Sequence, residues 1–317
     1  MKGLVHPPDA VIAYVRYVPS SKGSRRRKGR RYLKLYDLKK RREFLAEKYP
    51  YYLRFDPVFS LELQAVPLSR ISRHYVPSTR LRELLSSASR DSLEEKAVNL
   101  ALLIKEEAGI PLSSIGISGS ILVGLHTENS DIDIVVRGER EGCKVYEAMA
   151  LLFEECGELK PYSLEGLKKL YEFRSKDTPI PFGDFARMEG RKRLQGTYRG
   201  VDFYVRLVKR PKEYGEKYGD KVYVPIGTQI IRALIDSSED SMFTPCRYAI
   251  SSVEIVEGPP VKPVEIVSFR GRFCELAREG ERITAKGKLE LVRSREGDEH
   301  YRLLLGAKGD FMIVKQR

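Results

Sequence analysis

The chain has 317 residues, 42% hydrophobic and 32% charged, with a net charge of +13 and a pI near 9.4. That composition excludes a disordered or fibrous chain, and the length suits two or three modest domains. A surface this basic is expected to attract polyanions, nucleic acid ahead of an anionic membrane, with plain solubility charge as the alternative.

Trp is absent, and only two Asn (Asn99, Asn129) and four Gln accompany the many Arg, Lys and Glu, which is a thermophile's bias. Cys143, Cys156, Cys246 and Cys274 form no CxxC, and His6, His74, His126 and His300 stand in no ligand spacing. A structural zinc site or a secreted disulfide framework is therefore not expected, although a Cys143–Cys156 or other pair stays open. The first apolar run is short and bounded by Asp9 and Arg16, so neither a signal peptide nor a membrane span is expected. The expectation is a cytoplasmic protein without a membrane partner.

In chain order, residues 1–80 form a basic, tyrosine-rich segment. AVIAYVRYV (10–18) and RYLKLYDL (31–38) flank SSKGSRRRKGR, which predicts a β-hairpin with a long arginine loop. A helix over 38–49 follows, capped by Asp37 and ended by Pro50.

Residues 81–212 read as a mixed α/β domain. Asp91 with Glu94 makes a capping box ahead of Leu93, Ala97, Leu100, Ala101 and Ile104 at helical spacing. SSIGISGS (113–120) is strand then turn, and DIDIVV (131–136) is strand. Helices are predicted over 144–156 and after Ser163, residues 175–197 as loop, and VDFYVRLV (201–208) as strand. Residues 213–317 read as a small, mostly β domain, an antiparallel sheet or barrel. In it Ile283, Ala285, Leu289 and Leu291 alternate onto one face.

The chemistry concentrates in GSILVGLHTENSDIDIVV (119–136). Side chains alternate along a strand, so Asp131 and Asp133 share one face while Ile132, Ile134 and Val136 take the other. Two carboxylates that close repel each other unless a cation sits between them, and carboxylates with substrate phosphates are a usual Mg²⁺ environment. Gly119 lets phosphate oxygens approach the backbone, Ser120 adds a hydroxyl donor, and Gly124 permits a tight path.

This pattern resembles the polymerase-β-type nucleotidyltransferase superfamily, in which minimal antitoxin-like members and CCA-adding enzymes share it. Leu122 and Val123 depart from the Ala-Arg of many members. Over its whole length the chain is similar to uncharacterised archaeal predicted nucleotidyltransferases. The resemblance implies an α/β (α+β) fold, a mixed sheet with flanking helices. It also implies a third carboxylate on a neighbouring strand, and Asp202 in GTYRGVDFYVRLV matches, with Asp184 and Glu189 as competitors whose replacement is expected to be near neutral. The implied reaction is two-metal transfer of a nucleoside monophosphate from a nucleoside triphosphate to a hydroxyl. Mg²⁺ or Mn²⁺ would be held by Asp131, Asp133 and Asp202, and the nucleotide by Gly119 and Ser120.

Twelve Lys/Arg stand between Lys22 and Arg42 against one acid, Asp37. Arg25, Arg26, Arg27, Lys28, Arg30, Arg31, Tyr32, Lys34 and Tyr36 make an expected RNA-binding set, aromatics interleaved with cations. Leu33 and Leu35 are expected behind Tyr32, Lys34 and Tyr36. Tyr14 and Arg16 share a face of the first strand. Because the loop belongs to another segment, replacing it is expected to leave nucleotide binding unchanged. RNA, tRNA among others, is thus the expected acceptor. A protein or small-molecule acceptor is the alternative, and a non-catalytic nucleic-acid-binding protein on the same fold is a third.

Overall fold

Gly3 and residues 5–315 are described in a computed structural model of the chain. The N-terminal segment carries β1 (Ala10–Ile12), β2 (Tyr17–Pro19), β3 (Arg25–Arg27), β4 (Arg30–Lys34), α1 (Leu38–Lys48), β5 (Leu53–Asp56) and β6 (Leu61–Pro67). These form two three-stranded sheets, ordered β1-β6-β5 and β2-β4-β3. The expected pairing of 10–18 with 31–38 is corrected in part. β1 pairs with β6, only β2 joins β4, and the arginine run is itself an edge strand on β4. Lys28 and Gly29 both have positive φ (46° and 74°), the two-residue turn whose twist suits a tight hairpin. Asp37 caps α1 by accepting from the Lys40 N–H.

The central segment runs α2 (Pro77–Leu85), α3 (Ser92–Glu107), β7 (Ile115–Ile117), α4 (Gly119–Leu122), β8 (Ile132–Arg137), α5 (Glu139–Glu155), β9 (Leu159–Lys160), α6 (Leu164–Arg174), α7 (Phe182–Glu189), β10 (Gln195–Tyr198), β11 (Val201–Val208) and α8 (Pro211–Tyr214). Its five-stranded sheet is ordered β7-β8-β11-β10-β9, with β8 and β11 parallel and the other pairs antiparallel. The Asp91–Glu94 capping box is formed, and the predicted apolar face of α3 is buried. It packs with β7, β8, β11 and α5 into one core. The expected loop at 175–197 is corrected, because α7 lies inside it and β10 begins at its end. Phe185 and Met188 pack α7 against the core of the C-terminal sheet, overriding a charge- and glycine-rich local sequence.

The C-terminal sheet comprises β12 (Lys221–Ser237), β13 (Cys246–Glu257), β14 (Glu265–Ser268), β15 (Arg282–Ser294), β16 (Glu299–Leu305) and β17 (Phe311–Val314). Its order is β12-β13-β14-β16-β15-β17, and β12 also pairs with β15, so the sheet closes on itself. β14 and β16 are parallel, a departure from the antiparallel expectation. Ile283, Ala285, Leu289 and Leu291 face the interior as their alternation predicts. All four cysteines are free thiols.

Candidate active site

The site begins where β7 ends. The Ser118 N–H donates to the Asp133 carbonyl at 2.7 Å, tying the turn to β8. Gly119 follows at φ +60°, and a Cβ there would lie 1.9 Å from Asp133 Oδ2. Only glycine lets the backbone pass so close to that carboxylate. Ser120 is 3% exposed, and its Oγ has no hydrogen-bond partner among the described residues. An unpartnered buried hydroxyl is costly unless a ligand completes it.

β8 and β11 supply the acids. Ile132, Ile134 and Val136 are buried, as are Phe203, Val205 and Leu207. Phe203 stands opposite Ile132 and Tyr204 opposite Asp133, so the parallel register carries Asp202 level with Asp131. Adjacent strands lie about 4.8 Å apart. Asp131, Asp133 and Asp202 therefore share one face of two neighbouring strands. Asp131 and Asp202 are exposed, and Asp133 is half-buried.

The carboxyl of Asp133 is pushed up to about 6 by burial and then by the charge of Asp131, against the pull of Arg206, Arg16 and Lys34. Asp202 is raised by burial and by Asp131, with Lys169 acting against it. Asp131 thus acts on both of the other carboxylates. Tyr162, ahead of α6, has its phenol raised by burial and then by Asp202, with Arg174 opposing and Asp131 adding. No local pattern in the sequence marks Tyr162, because it comes to the acids through the fold of the β9–α6 connection.

The competing acids are engaged elsewhere. Glu189 is buried and paired with Arg174 (2.6 Å) and Lys192 (2.9 Å), and it accepts from Gln195. Asp184 pairs with Arg187 at 2.6 Å. His126 Nε2 lies 2.7 Å from Asp91 Oδ2. Asp91, Glu94 and His126 bring their ligand atoms within 4.8 Å of one another. Asp91 is occupied as the cap of α3, and Glu94 accepts from Arg80 at 2.6 Å. We read the trio as a tie between turn and helix.

The basic hairpin lies against this site, which corrects the expectation of a separate element. Arg25 donates to the Leu125 carbonyl and, at 3.2 Å, to Ser130 Oγ, beside Asp131. Arg27 donates to the Tyr75 hydroxyl at 2.6 Å. Tyr36 meets Phe173 of α6 edge-on, ring centres 6.3 Å apart. Leu33 is 40% exposed while Tyr32 and Lys34 are half-buried. Tyr32 and Lys34 therefore turn toward protein, the reverse of the expectation for Leu33, while Tyr36 stays 53% exposed and Leu35 is half-buried. Arg26, Lys28, Arg30 and Arg31 remain exposed around the turn.

A mixed sheet with paired acids beside a glycine–serine turn is the architecture of a nucleotidyltransferase domain, and residues 100–181 match the family model of that description. The chain belongs to this family. The match ends before β11, so Asp202 lies outside it. Across 310 residues, 95% of this chain and 89% of its relative, it is 33% identical to an uncharacterised protein of Methanocaldococcus jannaschii, MJ1086. No solved structure matches the chain. Among the described residues no helix is long and apolar enough to cross a membrane.

Proposed function

We propose that the chain transfers a nucleoside monophosphate from a nucleoside triphosphate to a hydroxyl of RNA, with Mg²⁺ or Mn²⁺ bound by Asp131, Asp133 and Asp202. The reading is carried by one observation: three carboxylates share a face beside a glycine with no room for a Cβ and a buried hydroxyl with no partner. The donors fit the metal in chemistry, since they are all oxygens and their mutual repulsion calls for a cation, which would draw together ligand atoms that do not all lie within 4.8 Å of one another here. When bound, the metal withdraws charge from the phosphoryl oxygens and acidifies the acceptor hydroxyl.

The chain's own residues do the rest. Gly119 leaves space for a phosphate oxygen against the backbone, and Ser120 Oγ donates to it. Asp202, at the exposed end of the acid row, takes the proton of the attacking hydroxyl. The new O–P bond forms at the α-phosphorus, the bond to the bridging oxygen breaks, and pyrophosphate leaves. RNA is favoured as acceptor by Arg26, Lys28, Arg30 and Arg31, which are exposed and without acidic partners among the described residues.

The test is to incubate the protein with Mg²⁺, each α-labelled triphosphate in turn and total cellular RNA. Metal-dependent label in RNA that disappears in Asp202→Asn supports the proposal. Label in the protein fraction makes the acceptor a protein. Nucleotide binding without any label points to the non-catalytic alternative.

A further inference from the structure

Cations and aromatic rings are also paired on the N-terminal segment outside the hairpin. Tyr49, Tyr51 and Tyr52 follow α1, with the Tyr51 ring 4.5 Å from Tyr52 and 6.2 Å from Tyr49. The cluster is open to solvent: Tyr49 is 40% and Tyr51 44% exposed. Arg70 lies over the Tyr51 ring, 4.0 Å from its centre. Three residues on, in a stretch (71–76) that is neither helix nor strand, Arg73 lies 4.8 Å from the centre of the Tyr75 ring. Tyr75 in turn carries Arg27 of the hairpin, 5.2 Å from its centre. Arg27 reaches the turn after Gly119, where a Cβ on Gly124 would lie 3.6 Å from its Nε. Contact by contact, cations and rings thus lead from the tyrosine cluster to the turn that runs into Asp131. Arg70 and Arg73 are exposed, and among the described residues neither is ion-paired. Between Glu62 and Glu83 the chain has no acid at all. A ring that holds a guanidinium fixes a long side chain before any phosphate arrives, which lowers the entropy lost on binding. Cations alone would serve any polyanion, whereas open tyrosine faces and guanidinium planes stack on unpaired bases.

We propose that Tyr51, Arg70, Arg73 and Tyr75 form a second RNA-binding surface, along which an unpaired stretch of the acceptor strand is held as it leaves the acid row. The inference rests on RNA being the acceptor in the proposed function, and it adds to that reading a surface beyond the hairpin. The rings favour single-stranded RNA over a duplex, whose base faces are already stacked, and over an anionic membrane, which has no bases to stack.

The test compares the full chain with a Tyr51→Leu variant and with an Arg70→Gln, Arg73→Gln double variant. Binding is measured across a salt series to an unstructured single-stranded RNA and to the matching RNA duplex, and by sedimentation with phosphatidylserine vesicles. Tyr51→Leu should weaken single-strand binding about 5–100-fold, the loss of one stacked base, with the salt slope and the duplex affinity unchanged. Tyr51→Phe, which keeps the ring, should bind as the wild type does. The double variant should flatten the single-strand slope by about 0.7 for each phosphate that is no longer neutralised. If Tyr51→Leu melts early, the double variant decides. Single-strand affinity and slope unchanged in both variants overturn the inference. So does a Tyr51→Leu loss that is equal for strand and duplex, and so does a loss confined to the vesicles, which would assign the surface to a membrane. RNA binding that responds as stated, with no label passing from α-labelled triphosphates to RNA, keeps the surface and removes RNA as the acceptor. Labelled RNA with binding that does not respond has the opposite meaning, so the two failures are distinct.

Discussion

Gly119 shows how much one missing methyl group can decide. Its backbone already sits at positive φ, and an added Cβ would collide with the Asp133 carboxylate. Gly119→Ala should therefore cost about 1–3 kcal/mol of stability and abolish triphosphate binding, as read by thermal melting and calorimetry. Asp133 yields the opposite trade. Its folded value of about 6 lies above the ordinary carboxylate value, so the stability of its protonated form is present below about pH 4 and is lost as pH rises through about 6. At pH 7, without metal, the ionised group is a burden. Asp133→Asn should then stabilise the metal-free protein by about 1–3 kcal/mol, with solvent access holding down the gain. The gain should vanish near pH 4, and metal should no longer raise the melting temperature. Melting curves in chelator at both pH values check it. Glu189, whose replacement the sequence suggests is neutral, is buried between Arg174 and Lys192. Glu189→Gln should lower stability by about 3–5 kcal/mol in denaturant titration.

The N-terminal hairpin separates into two kinds of cation. Arg25 and Arg27 are spent on the turn after Gly119 and on Tyr75, and Arg26, Lys28, Arg30 and Arg31 remain open to solvent. Replacing those four with Ser should flatten the salt dependence of single-stranded RNA binding, by about 0.7 for each phosphate that is no longer neutralised. Triphosphate affinity should hold. An unchanged slope in filter-binding measurements would leave these residues as a solvated face. Arg25→Ala acts differently, since it releases the sheet from Leu125 and Ser130, and nucleotide affinity should drop with it. The division was hidden in the sequence because a run of like charges reads the same whichever members have partners. α7 was hidden for a related reason: its Phe185 and Met188 find their apolar surface on the C-terminal sheet, a long way along the chain.

Across the whole molecule, the site strand β11 is fastened to the C-terminal sheet. The Thr244 N–H donates to the Leu207 carbonyl at 2.8 Å, and the Glu275 carboxylate accepts from the backbone N–H groups of Arg193 and Leu194. A Cβ on Gly271 would fall 2.2 Å from the Tyr204 hydroxyl, so that loop closes directly on a site-face residue. These ties predict that thermal unfolding followed by circular dichroism shows one transition. Mg²⁺ with a triphosphate at about 100 times its Kd should shift that transition as a unit, adding about 2.7 kcal/mol. Two transitions, only one of them moved by nucleotide, would show that the C-terminal sheet melts independently of the site.

The features legible in the chain alone are local. The alternation that sets Asp131 and Asp133 opposite Ile132 and Ile134, and the capping box of Asp91 and Glu94, depend on neighbours a few residues apart. So does the placement of a conformationally free glycine at position 119. Periodicity and φ preference act over that range. Alternation also put Asp202 on the polar face of its strand, but that β11 lies beside β8, in the register that brings Asp202 level with Asp131, was decided by the tertiary structure. The same holds for Arg25 reaching Leu125 and Ser130 from the hairpin, and for the ion pairs that draw Glu189 away. Each joins segments far apart in the chain. Such pairings are chosen by which apolar faces can be buried together, and no short stretch of sequence carries that information.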